Sequence, residues 1–417
     1  MRSSAASSAL ACALVNWNES ERAVHFPFES VISCLRADGK HFAPTEVLQA
    51  LASLRARLAP AAAGDRDRLM LDQFLAVTLD KWDGTYAYRS YLGIDLLTLG
   101  LDGDGGTTDA AGSRRHRDEW VGLLLADLWS FEDGVRSESH DWLPQMRPES
   151  ALLRKRAKLI ETALTPIVRR LDGTGTGSSG SIAEVSHRLL ADTSPERRLA
   201  LLTSMQPVYT AHDEYLFIRI LQSFELTFSA MASEMRAAIS EVREKNPAAA
   251  AEHIHRCSAL LAEARTLFSL VATMRAESFR VFRVYTEGAS AIQSGNYKTF
   301  EALCSPPPPE RLDSPAFEAV GQLRDRVRGD WSDLATAVRD ATAGGLLDAG
   351  GLALVSAATR ELETVHQRWK QTHWKLAVRM IGEERGTGYT VGVPYLKSVI
   401  DHRLFRGPLG LEPVADA

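Results

Sequence analysis

The sequence predicts an all-α fold. Two observations carry this expectation. Long stretches with few helix breakers keep apolar residues at three-and-four spacing, the period of an amphipathic helix, most clearly in Asp213 to Val242. Runs of alternating β-branched residues bounded by hairpin turns, the mark of strands, are missing.

The N-terminal MRSSAASSALACALV has one arginine and a very short apolar core. It makes a poor secretory signal and is expected to be a disordered start. Phe26 to Leu58 reads as two short amphipathic helices broken at Asp38-Gly39. Thr45 is the expected N-cap of the second, with Val47, Leu48, Leu51 and Leu54 on one face. Arg66 to Leu79 repeats the pattern, Trp82-Asp83-Gly84 turns the chain, and Tyr86, Tyr88 and Tyr91 follow in an apolar cluster that favours core packing. Residues 102–116 have loop composition. Helices are expected over Glu119 to Phe131 and Glu149 to Leu171, a flexible linker over Gly173 to Gly180, and a helix start at Ser194 with Pro195 in its first position. Beyond Asp213 to Val242, a second long helix spans Ala248 to Met274. Ser278 to Leu303 is two helices around Gly288, ended by Pro306 to Pro309. The rest is helical over Gly321 to Asp340 and Leu352 to Ile381.

Composition excludes several classes. The 417 residues are 45% hydrophobic and 24% charged, an ordinary globular balance. A formal charge of -5 gives no basic face for nucleic acid. No apolar run approaches the roughly 18 residues that span a membrane. The four cysteines, Cys12, Cys34, Cys257 and Cys304, have neither metal-site nor disulfide spacing, so a reducing cytoplasm is expected. Glu225 and Glu234 lie on opposite sides of their helix and make no compact metal site. His253, His255 and Cys257 alternate faces and would chelate one metal poorly, which leaves surface polarity and a packed cysteine.

The stretch Arg368 to Lys397, RWKQTHWKLAVRMIGEERGTGYTVGVPYLK, stands apart. His373 sits in a helical run, followed by Gly386-Thr387-Gly388 and Gly392. One helical imidazole followed by a loop of close-approaching backbone suits a flat prosthetic group. An imidazole serves iron, zinc or copper equally, and a lone helical histidine is more often structural. The residues alone leave these readings open.

Three of these segments together resemble the tryptophan 2,3-dioxygenase family of haem enzymes. The family pattern HDExLFIxxHQxYELWFKQxxxEL is met by His212-Asp213-Glu214, Leu216-Phe217-Ile218, Gln222, Phe224-Glu225-Leu226, Phe228 and Glu234. The pattern TMxxxxFxxFRxYLxPASGFQSxxFRxxE is met by Thr273-Met274, Phe279, Phe282-Arg283, Tyr285, Ala289-Ser290, Gln293-Ser294, Lys298 (for arginine) and Glu301. The pattern WxxxHxxxVxRMxGxxxGTGGSSGxxYL is met by Trp369, His373, Arg379-Met380, Gly382, Gly386-Thr387-Gly388, Gly392 and Tyr395-Leu396. A weaker YxxYLxLDxLL match places Tyr88, Tyr91-Leu92, Asp95 and Leu97. The order is kept, the three long matches need no gaps, and the matched windows cover about a quarter of the chain.

The resemblance implies a helical bundle with an N-terminal helical extension (1–80), a haem-binding core (81–100 and 205–410) and a helical insertion (101–204). It implies haem b with His373 as the axial iron ligand, and Gly386 and Gly388 in the cofactor-binding loop. Thr387 would contact the amino-acid group of the substrate, Phe217 would line the pocket, and Tyr88 and Leu92 would come from a neighbouring subunit; plain core packing is the competing role for these last three. A homotetramer acting on an aromatic amino acid and O2 follows from the same resemblance. Four departures stand out: Leu221 replaces the pocket histidine, Lys298 the carboxylate-binding arginine, Ile292 a phenylalanine, and Tyr389-Thr390-Val391 the small residues of the loop. Leu221 and Thr387 are the expected catalytic positions, and Ile292 and Lys298 join the substrate-binding set.

The expected function is haem-dependent oxidation of L-tryptophan or a related aromatic amino acid with O2, ending in ring cleavage. One alternative is a monooxygenase or hydroxylase, using O2 or peroxide, of a tryptophan derivative or tyrosine. Another is a non-catalytic haem-binding protein, and a helical scaffold without haem is the last.

Overall fold

The computed structural model describes residues 2–17, 23–59, 61–62, 64–99, 109–173, 180–382, 392–406 and 409. Among them there is no β-strand, and helix follows helix, as the periodicity predicts. The chain opens with α1 (Arg2–Asn16), α2 (Phe28–Asp38), α3 (Thr45–Arg57) and α4 (Arg66–Thr78). Next come α5 (Tyr88–Leu92), α6 (Ile94–Leu97), α7 (Ala110–Arg136), α8 (Ser150–Leu171), α9 (Ile182–Ala191) and α10 (Pro195–Thr203). The long α11 (His212–Arg243) and α12 (Pro247–Val271) precede α13 (Ala276–Thr286) and α14 (Gly295–Cys304). Four short helices follow: α15 (Pro309–Leu312), α16 (Pro315–Glu318), α17 (Gly321–Arg328) and α18 (Leu334–Ala343). The longest, α19 (Ala349–Ile381), and then α20 (Val393–Ser398) complete the order.

Three expectations need correction. The alanine- and serine-rich start is helix α1, held because Leu14 is fully buried and the Ser8 hydroxyl donates to Glu46 Oε1 of α3 at 3.1 Å. Thr45 is the first residue of α3; Pro44 occupies the cap position without a side-chain bond. Helix α7 begins at Ala110, inside the stretch expected to be loop, since Asp109 Oδ1 accepts from the Gly112 N–H at its start. Most of the expected Gly173 to Gly180 linker lies outside the described residues.

The chain forms two compact units: the first is Met1–Thr107, Gly122–Gln222 and Thr273–Ser290, the second Thr108–Val121, Ser223–Ala272 and Ala291–Ala417. In the first, Phe26, Phe28 and Phe74 pack edge to face with centroids 4.8–5.8 Å apart. The kink between α5 and α6 needs Gly93: its φ is +56°, and a Cβ there would meet Ser204 Cα at 2.9 Å. The first turn of α11 is pinned by a buried ionic group. Arg156, fully buried, donates to Glu132 Oε1 at 2.8 Å and to Asp213 Oδ1 at 2.5 Å. His212 Nε2 lies 3.2 Å from Glu132 Oε2. Burial pushes the Glu132 carboxyl up, but Arg156 and His212 outweigh it and hold the pKa below the ordinary value. Buried charges persist only when paired this completely.

In the second unit α12 lies along α19. Arg117 pairs there with Asp118 and Glu263. Glu234 takes Arg114 and His253, and Glu225 accepts from Asn296, so the two helix carboxylates serve separate partners as their spacing predicts. His253 turns inward to Glu234, His255 outward to Glu361, and Cys257 is fully buried, so only His255 is the surface group expected of the two histidines. No cluster of three or more potential metal-ligating His, Cys, Asp or Glu side chains exists among the described residues. All four cysteines are free, and no single described helix is long and apolar enough to cross a membrane.

Candidate functional site

The expected site residues of the first unit sit on α5 and α11. From His212 to Gln222 every side chain is buried except Phe217 and Leu221, which keep partial exposure. They are one helical turn apart and therefore share a face. Phe217 is backed by Phe279 and Phe282, with centroids at 5.3 and 5.5 Å. Tyr88 and Leu92 are buried in this unit's core, and the Leu92 carbonyl accepts from Gln222 Nε2 at 2.6 Å.

The second unit holds the others. His373 lies in α19 and stacks on Phe268 of α12, with centroids 5.6 Å apart and planes 7° apart. Trp369, one turn earlier, lies 5.7 Å from the same imidazole. Phe224, Phe228 and Phe268 surround Trp369 at 5.6–6.1 Å. The His373 side chain keeps some exposure, yet this aromatic packing desolvates the ring and pushes its pKa down to about 4. Among the described residues it has no hydrogen-bond or charged partner. The indole N–H groups of Trp369 and Trp374 are likewise buried donors without a described acceptor.

Lys298, on α14, is 4% exposed and lies 3.3 Å from Glu301 Oε2. Glu301 also accepts from Arg311 Nε at 2.7 Å and Nη2 at 2.9 Å. Burial depresses the Lys298 pKa to about 8 against the pull of Glu301. Burial pushes the Glu301 carboxyl up, but the two cations overcome it and hold the pKa far below the usual carboxylate range. Ile292 is partly exposed in a short 3-10 turn, Ala291–Gln293. Gly386, Thr387 and Gly388 lie outside the described residues.

No protein-family model matches the chain. Curated relatives do. A tryptophan 2,3-dioxygenase of Polaromonas naphthalenivorans is 28% identical over 240 residues, covering 49% of this chain and 85% of that protein. Those of Bordetella parapertussis (29% over 238 residues, 49% and 84%) and Exiguobacterium sibiricum (27% over 239 residues, 49% and 86%) agree. Over about half of its length the chain is similar to the tryptophan 2,3-dioxygenases.

Within the tryptophan 2,3-dioxygenase pattern, sequence reasoning found His373 and Lys298 but missed what surrounds them. Glu301 was matched only as a pattern residue, and Arg311 lies beyond the matched window in a proline-rich stretch with no periodic signal. Phe268, the surface on which His373 stacks, comes from α12, between two matched windows. Tyr297 and His366, joined by a 2.8 Å hydrogen bond, also went unnoticed. The signal for Tyr297 was present, because the family pattern has phenylalanine at that position.

Proposed function

We propose that this chain is a haem-dependent oxygenase that oxidises L-tryptophan or a related aromatic amino acid with O2. The observation that carries the reading is His373, a neutral imidazole without a described partner in the register of the family's haem ligand. A histidine that is to hold iron must be unprotonated, and desolvation keeps His373 so at neutral pH. The flat faces of Phe268 and Trp369 fix the ring's orientation. These features fit a haem iron held by His373, with Gly386 and Gly388 as further proposed cofactor contacts. Haem supplies the O2 chemistry when bound.

The chain's own residues would bind and orient the substrate. In the first unit Phe217 and Leu221 offer partly exposed apolar surface for an aromatic ring, and Ile292 is partly exposed in the second. The Lys298–Glu301–Arg311 group sets two cations against one carboxylate, leaving an excess positive charge suited to an α-carboxylate. Thr387 is the proposed contact for the amino-acid group. Leu221 cannot donate or accept a hydrogen bond, so this chain proposes no protein base at that position. Leu221, and the engagement of Lys298 by Glu301, favour a second reading in the same class: monooxygenation or hydroxylation of a tryptophan derivative or tyrosine. Assembly into a homotetramer and residence in a reducing cytoplasm belong to the same proposal, the second supported by the four free cysteines.

Haem titration of the His373→Ala protein tests the ligand. Wild-type protein is expected to develop a Soret band and the variant to lose it or shift it to that of weakly held haem. An identical spectrum in both would remove His373 from the site.

A further inference from the structure

The Tyr297–His366 pair is unused by substrate binding as described above, and its surroundings are specific. The Tyr297 hydroxyl lies 2.8 Å from His366 Nε2. Burial, then the nearby Glu301, push the phenol pKa well above its ordinary value, so the hydroxyl keeps its proton and is the donor. His366 is 2% exposed, and burial lowers its pKa, which leaves Nε2 free to accept. Its other nitrogen, Nδ1, faces Glu363 Oε1 at 3.7 Å. Glu363 is fixed in turn by the backbone N–H groups of Leu404 and Phe405 and by Gln367. Phenol, imidazole and carboxylate thus stand in line. The Tyr297 ring stacks on Trp369 at 5.8 Å and 22°, and Trp369 contacts His373 at 5.7 Å.

We infer that Tyr297, His366 and Trp369 form a proton-coupled redox relay serving the haem proposed at His373. The inference rests on that haem reading. The oxidant is hydrogen peroxide, which haem, when bound, would reduce by two electrons with cleavage of the O–O bond and loss of one oxygen as water. One of those two electrons would come from the haem and the other from the Tyr297 phenol through the Trp369 indole. The phenolic proton moves along the existing hydrogen bond to His366 Nε2. A neutral tyrosyl radical and an imidazolium remain, the latter facing the Glu363 carboxylate. Without a proton acceptor in place, oxidation of a buried phenol would leave an uncompensated cation in a poorly solvated site. The Lys298 ammonium, 4.7 Å from the Tyr297 ring centroid, raises the cost of removing an electron, and its Glu301 partner offsets that effect. Such a relay drains oxidising equivalents produced without substrate.

A purely structural hydrogen bond would satisfy the same polar atoms, so the test needs a readout specific to redox. Haem-loaded protein is mixed with one equivalent of hydrogen peroxide, frozen, and examined by electron paramagnetic resonance. A tyrosyl signal is expected in the wild type, lost in Tyr297→Phe and lost or altered in line shape in His366→Gln, with the resting Soret band unchanged in both. A wild type without any tyrosyl signal, or an undiminished signal in Tyr297→Phe, would overturn the relay while leaving the haem reading intact. Failure of the wild type to take up haem would overturn the haem reading, and the relay with it.

Discussion

Lys298 illustrates how far one side chain can be understood from its neighbours. Its ammonium is buried against Glu301, which Arg311 grips with two further hydrogen bonds, so the three residues stand or fall together. Replacing Glu301 by Gln leaves two buried cations facing each other and is expected to cost about 3 kcal/mol, read from urea unfolding. The sign of its pH dependence follows from the depressed Glu301 pKa. Above the ordinary value of 4.5 both folded and unfolded carboxylates are charged and the full stabilisation is present. Below it the unfolded chain takes up a proton that the folded site refuses, so stability falls as pH falls. Wild-type protein should therefore lose more stability between pH 5 and pH 3 than Glu301→Gln, and equal losses would mean the group is not the ion cluster described. Sequence reading reached Lys298 through a motif, but a motif cannot show that its partner Glu301 is shared with Arg311, thirteen positions away across a proline-rich turn.

Helices were legible where a pattern of apolar residues repeats, and obscure where composition hides the period. The span of α11, with its apolar three-and-four spacing, was readable almost to the residue. The same holds for α10, where Ser194 caps the helix and Pro195 takes its first position. Helix α1 was not, because Ala and Ser both tolerate helix without marking a buried face. Its burial of Leu14 shows which way it turns. Leu14→Ala is expected to destabilise the protein by about 3 kcal/mol through a lost side chain and the cavity left behind. A disordered start would predict an unchanged urea midpoint. Helix α7 was half missed for a related reason: its first turn, Ala110 to Ser113, holds only small residues and shows no apolar period, and the helix is fixed there by its partners, Arg114 with Glu234 and Arg117 with Glu263.

For the molecule as a whole, fold class and family resemblance were within reach of the sequence, because the all-α pattern and the ordered motifs are properties of local runs. Three features were not. The two compact units draw on discontinuous segments, and no local rule joins residues 108–121 to 223–272. The aromatic setting of His373 depends on α12 lying along α19. The Tyr297–His366 bond links positions 69 apart in the chain. On the proposed reading, substrate choice would turn on side chains where this chain departs from the family pattern, above all Leu221, Ile292 and Lys298. The most direct test is an absorption spectrum of the reduced, haem-loaded protein as L-tryptophan is added under air, with the products then identified. A Soret band that shifts on addition, with N-formylkynurenine formed, is expected for ring cleavage, and a shift with a hydroxylated product for the second reading. A Soret band that no aromatic amino acid perturbs, with no oxidised product from tryptophan, its derivatives or tyrosine, would contradict the oxygenase assignment.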